Sequence, residues 1–99
     1  MDVSGVSQYI GLANKANKCI FGSMVKEAIK KRHAAVVLLD ESASQNTKKK
    51  YYDSCEFYDI KVFEAEKDLI SKAAGKETAM VVAISDVSLA NKIIEKIKN

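Results

Sequence analysis

Apolar and polar positions follow two rhythms along the chain. Between Ser4 and Asn17 the apolar residues Val6, Tyr9, Ile10, Ala13 and Ala16 recur every three or four positions, which predicts a helix with one buried face. Asn17 tolerates left-handed backbone and is the expected stop. Cys19-Ile20-Phe21 reads as a short strand. Gly22-Ser23 then opens a second helix, Met24 to Arg32, striped by Met24, Val25, Ala28 and Ile29, with Ser23 as the expected cap. From Ala34 to Leu39 the rhythm gives way to an unbroken apolar run bounded by charge, the signature of a strand covered on both faces.

Asp40 to Ser44 is a loop, and a third helix runs on to about Tyr58. Ser42 with Gln45 forms one candidate capping box and Ser44 a competing cap. Lys61 to Ala65 is a further strand. Asp68 to Ala74 is a short helix closed by Gly75, and Met80 to Ile84 is a second fully apolar strand. The last helix is capped by Ser85 or Asp86 and striped by Leu89, Ala90, Ile93, Ile94 and Ile97. Helices and strands thus alternate from one end to the other. That order predicts an α/β fold: a three-layer α/β/α sandwich around a mixed sheet of about four strands. Residues 1–99 form a single domain, with 1–6 expected to be loosely ordered.

Composition narrows the function more than the fold. The absence of proline and the four glycines exclude a disordered or loop-built scaffold. No apolar run reaches the roughly 18 residues of a membrane span, and the first residues lack a signal peptide's pattern, so the cytoplasm is the expected location. Charge is unevenly spread. From Met1 to Ala34 there are six basic residues against two acids, whereas from Ala35 to Glu66 there are four against seven. A cationic N-terminal third suits a surface that faces an anionic polymer.

Catalytic chemistry is hard to assemble from these residues. Cys19 and Cys55 form no C-x-x-C pair and His33 is the single histidine, so no metal site is expected; the thiols read as buried or half-buried. Neither the dinucleotide-binding glycine pattern nor a P-loop is present, so no nucleotide cofactor is expected. Asp40 and Glu41 end a central strand, where open α/β sheets bind ligands, but carboxylates there more often form turns. Lys48, Lys49 and Lys50 read as a solvated helix face. Tyr51, Tyr52, Phe57 and Tyr58 read as core or helix-face packing.

Three stretches resemble the L-seven-Ae family of ribosomal proteins, particularly its short bacterial branch. Ile10-Gly11-Leu12-Ala13-Asn14-Lys15-Ala16-Asn17-Lys18 is similar to the family's first helix. Val36 to Lys50, reading VVLLDESASQNTKKK, is similar to its strand and following helix start and is the most specific of the three. Ala74-Gly75-Lys76-Glu77 with Val81-Val82-Ala83-Ile84-Ser85-Asp86 is similar to its last loop and strand. The match runs in order from about Tyr9 to Ile97.

The resemblance implies an L-thirty-e-like fold that binds RNA at the kink-turn, a sharply bent internal loop with sheared G·A pairs. In that mode the second helix points its N-terminus into the widened groove and a later loop covers an extruded base. Carried over by position, Gly22, Ser23, Met24 and Glu27 sit at the helix start, with Lys18, Lys26 and Lys30 around them. Lys76, Glu77, Thr78 and Ala79 occupy the loop. The helix start departs from the archaeal and eukaryotic Gly-x-Asn-Glu-x-x-Lys pattern: Asn is missing, and Glu27 takes the lysine position when Ala28-Ile29 are aligned. The expected partner is structured RNA, carried by ribosomal RNA or a regulatory leader, bound by a monomer without DNA or membrane contact. Ribosome association is a corresponding expectation. A protein–protein module on the same fold, without specific RNA binding, is the competing reading.

Overall fold

A computed structural model describes all 99 residues, Met1 to Asn99. In chain order the elements are α1 (Val3–Lys15), β1 (Cys19–Phe21), α2 (Met24–Lys30), β2 (Val36–Asp40), α3 (Gln45–Phe57), β3 (Lys61–Ala65), α4 (Leu69–Ala74), β4 (Val81–Ile84) and α5 (Val87–Lys98). The strands form one mixed sheet in the order β1-β4-β2-β3, with β2 and β3 parallel and the other neighbours antiparallel.

The two unbroken apolar runs became the two central strands, buried at every position. Successive strand side chains point to opposite faces, so a strand covered on both sides has no polar position to spare. Val36, Leu38, Val82 and Ile84 enter one core with Val6, Ile10, Ile70 and Ile93 from α1, α4 and α5. Val37, Leu39, Val81 and Ala83 enter the other, with Val25 and Ile29 of α2 and Tyr51 and Cys55 of α3. The result is the expected three-layer sandwich. No helix is long and apolar enough to cross a membrane.

Several boundaries differ from the periodicity. Residues 1–6, expected to be loose, are instead tied down. Asp2 caps α1 by accepting from the Gly5 N–H at 3.0 Å, and its own N–H donates to the Lys96 carbonyl of α5 at 2.8 Å. The two helices approach so closely that a Cβ on Gly5 would meet the Lys96 side chain at 2.8 Å. A contact across 94 positions leaves no local trace. Helix α1 ends at Lys15, and Asn17 takes the left-handed conformation expected of the stop, φ 59°.

Helix α2 stops at Lys30 rather than Arg32, because Arg32 turns left-handed (φ 59°) and the His33 N–H folds back onto the Ala28 carbonyl at 2.8 Å. Ser23 is not a side-chain cap: it is already helical, and the turn is made by Gly22 at φ 62°. At α3 the competition is decided for Ser44, whose hydroxyl accepts from the Thr47 N–H at 3.2 Å. Ser42 is unavailable because Asp40 holds it. Gly75 closes α4 at φ 65° and Asp86 caps α5, both as expected.

Candidate nucleic-acid interface

Sheet register decides which loops meet. Phe21, the last residue of β1, pairs with Val82 near the start of β4, and Leu39 near the end of β2 pairs with Val81. The Asp40 N–H donates to the Met80 carbonyl at 2.8 Å. One end of the sheet therefore gathers the β1–α2 turn, the β2–α3 loop and the loop entering β4, and Ala65 of β3, paired with Asp40, brings the β3–α4 turn beside them. At the opposite end lie Cys19, Ile84 and Val36.

Gly22, Ser23, Met24, Lys26 and Glu27 are all solvent-exposed at or near the first end, and Met24 stands out with 68% of its surface open. Lys76, Glu77 and Thr78 are exposed in the loop before β4. The two segments meet through a contact absent from the motif reading. The Lys76 ammonium lies 4.7 Å from the centroid of the Phe21 ring, immediately before Gly22. Such a cation–π contact contributes about 0.5–1 kcal/mol at an exposed site, enough to bias where the lysine rests without neutralising it.

Three predicted residues belong elsewhere. Ala79 is buried in the core beneath the loop, so its side chain offers no surface; its N–H donates to the buried Ser71 hydroxyl at 2.8 Å, which fixes the loop from below. Lys18 precedes Cys19 at the opposite end, where its carbonyl accepts from the Ser85 N–H at 2.9 Å and hydroxyl at 3.2 Å. Gly22 lies four residues further along extended chain, roughly 13 Å away. Lys30 ends α2, about 9 Å along the helix axis from Met24, and also lies toward that far end.

The loops at the first end share a polar anchor. The Asp40 carboxylate is fully buried and accepts from the Ser42 N–H (2.8 Å), the Ser42 hydroxyl (2.6 Å) and the Asp68 N–H (2.8 Å). Burial alone would raise its pKa. The hydrogen bonds from Ser42 and Asp68 and the charge of Lys67 outweigh that and hold it below the usual carboxylate value. Asp40 is thus a turn former, as its place at a strand end suggested. Glu41 acts likewise, accepting from the Lys67 N–H at 3.1 Å.

The lysine run on α3 is less free than expected. Lys48 is only 15% exposed and pairs with Glu64 at 3.0 Å; Lys49 pairs with Asp53 at 2.8 Å. Tyr52 also donates to Glu64 at 2.7 Å, and burial together with that carboxylate pushes its hydroxyl up to about 12. Tyr51 is core, as expected, whereas Phe57 is 80% exposed and leans edge-on against Tyr58 with centroids 4.9 Å apart. No cluster of three His, Cys, Asp or Glu side chains is placed to hold a metal ion.

This sheet with its clustered loops defines a three-layer α/β/α domain with a mixed four-stranded sheet. The chain is 27% identical, with a TM-score of 0.92, to a protein of unknown function from Bacillus halodurans C, covering 95% of this chain and 97% of that one. It also shares the fold of the Giardia lamblia 15.5kD RNA binding protein, with a TM-score of 0.79 and 14% identity over 99% and 87% of the two chains. No family model matches. It is 40% identical to RNA-binding protein YlxQ of Bacillus subtilis over 86% of this chain and 87% of that protein, and 36% identical to RNA-binding protein YlxQ of Enterococcus faecium over 90% and 87%. The chain belongs to the YlxQ family.

Proposed function

We infer that this chain binds structured RNA, with a kink-turn as the leading target, and has no catalytic role. The contact surface is the sheet end formed by Gly22–Glu27 and Lys76–Thr78. The observation that carries this reading is the Lys76–Phe21 contact, which brings a cation from the last loop to the start of α2 and makes one exposed surface of two segments distant in sequence. Two relatives covering most of the chain are named as RNA-binding proteins, which supports the same reading. Ribosomal RNA or a regulatory leader would carry the target, and a monomer suffices to present the surface.

The test is a titration of the whole chain against a standard kink-turn, the same RNA with its G·A pairs replaced, and a plain duplex. The kink-turn should bind best. Lys26→Glu with Lys76→Glu should weaken it by more than about tenfold at physiological salt and reduce the log–log salt slope by roughly 1.5–2. Lys49→Glu with Lys92→Glu changes the charge equally on other exposed faces and should have a much smaller effect. Equal affinity for the three RNAs, or equal losses from the two charge swaps, would overturn the assignment.

A further inference from the structure

On the α2 side of the sheet a shallow trough of about 170 Å³ lies between β1 and α2, lined by Ile20, Met24, Glu27, Ala28, Lys31 and His33. It opens to solvent because β1 is an edge strand that pairs only with β4. We propose that this trough receives one unpaired nucleobase of the bound RNA, extending the contact from the sheet end along α2 to the Lys30–His33 turn. The proposal rests on the RNA-binding reading above.

The floor is apolar. Ala28 is buried, Ile20 is half-buried, and Met24 forms an exposed, polarizable lip shared with the sheet-end surface. A flat aromatic base finds there a face to lie against. The rim supplies what an apolar side chain of a protein partner would leave unused. Glu27 is an acceptor for base amino or imino hydrogens, and Lys31 and His33 are donors toward base edge or phosphate. Glu27 and Lys31 span the rim at 3.6 Å while both stay more than half exposed, so either is free to turn to a ligand.

Charge continues in the same direction. Lys30, Lys31, Arg32 and His33 are consecutive and all exposed. Arg32 is held over the Tyr58 ring at 5.9 Å with its Nη1 donating to the Tyr58 carbonyl at 3.4 Å, which fixes the turn. Lys30 and Lys31 face solvent, and Lys31 lines the trough. This placement also gives Lys30, displaced from the sheet end, a position along the extended contact.

The test uses the whole chain and a kink-turn RNA whose unpaired nucleotides are made abasic one at a time. One abasic position should weaken wild-type binding by about tenfold, the scale of a single stacked base. With Lys31→Ala and His33→Ala together, the same abasic change should cost less than about threefold. Both residues are exposed, and an unchanged melting temperature would show that the variant is folded. If wild type prefers the folded RNA over duplex but no abasic position discriminates wild type from variant, the trough is empty while the sheet-end reading stands. An equal loss for every RNA marks plain charge attraction and also overturns the base site. No preference for folded RNA by wild type removes both readings.

Discussion

Replacing Asp40 by Asn tests whether the sheet-end loops are held by one buried carboxylate. The side chain is fully buried and accepts three hydrogen bonds from two different turns. Asn keeps the shape but turns one oxygen into a donor. If its remaining oxygen faces Ser42, its NH₂ points at the Asp68 N–H, donor against donor, on a residue already left-handed at φ 67°. A lost hydrogen bond to a charged group is worth about 1.5–3 kcal/mol, and the part-buried Asp68 N–H left facing a donor puts the cost at the upper end of that range. The net expectation is about 3 kcal/mol. For a domain of this size that lowers the melting temperature by roughly 12–24 °C. Thermal unfolding followed by circular dichroism at pH 7 measures it.

Acid supplies an internal control. The folded-state pKa of Asp40 lies below its unfolded value, so the stabilisation is complete above the unfolded pKa and disappears as pH falls through the folded one. The gap between wild type and Asp40→Asn should therefore narrow below about pH 4. A melting temperature within about 3 °C of wild type at pH 7, or a gap that does not narrow in acid, would refute the claim that the carboxylate is the anchor.

Two further outcomes follow from single positions. Gly75→Ala should cost about 1 kcal/mol of stability, read by urea titration, because the left-handed φ of 65° penalises a Cβ even though nothing lies in its way. Cys19 and Cys55 are both pushed up to about 11 by burial, so only on the order of one thiol in a thousand is ionised at pH 8, and alkylation there should be far slower than for an unfolded control.

The fold was legible because burial on two faces is visible in one dimension. Val36–Leu39 and Val81–Ile84 carry no polar position, and the helices carry stripes matching the core residues Val6, Ile10, Val25, Ile29 and Ile93. Misplaced boundaries arise where a hydrogen-bond partner outside the helical period, distant or near, overrides the local rhythm. Asp2 is fixed by Lys96, and Ser42 is lost to α3 because Asp40 holds it. Asp40 itself ends a strand as a buried charge, and only the N–H of Asp68, 28 positions on, completes its hydrogen bonding.

The proposed contact surface was suggested by chain proximity and is re-sorted by register. A cationic N-terminal third suggested one charged patch, yet Lys18 and Gly22 sit at opposite ends of a three-residue strand, and α2 carries Lys30 back toward the end that Lys18 occupies. Antiparallel pairing of β1 with β4 does the reverse for Lys76: it places a residue 55 positions away against Phe21. The loops so gathered are tied by buried polar bonds, Asp40 to Ser42 and Asp68, Ser71 to Ala79. A surface fixed before the ligand arrives loses less entropy on binding than one that must be ordered. In the proposed contact the missing Asn in the Gly22–Glu27 stretch would bear on which RNA is selected, while the rigidity and charge of the surface do not depend on that residue.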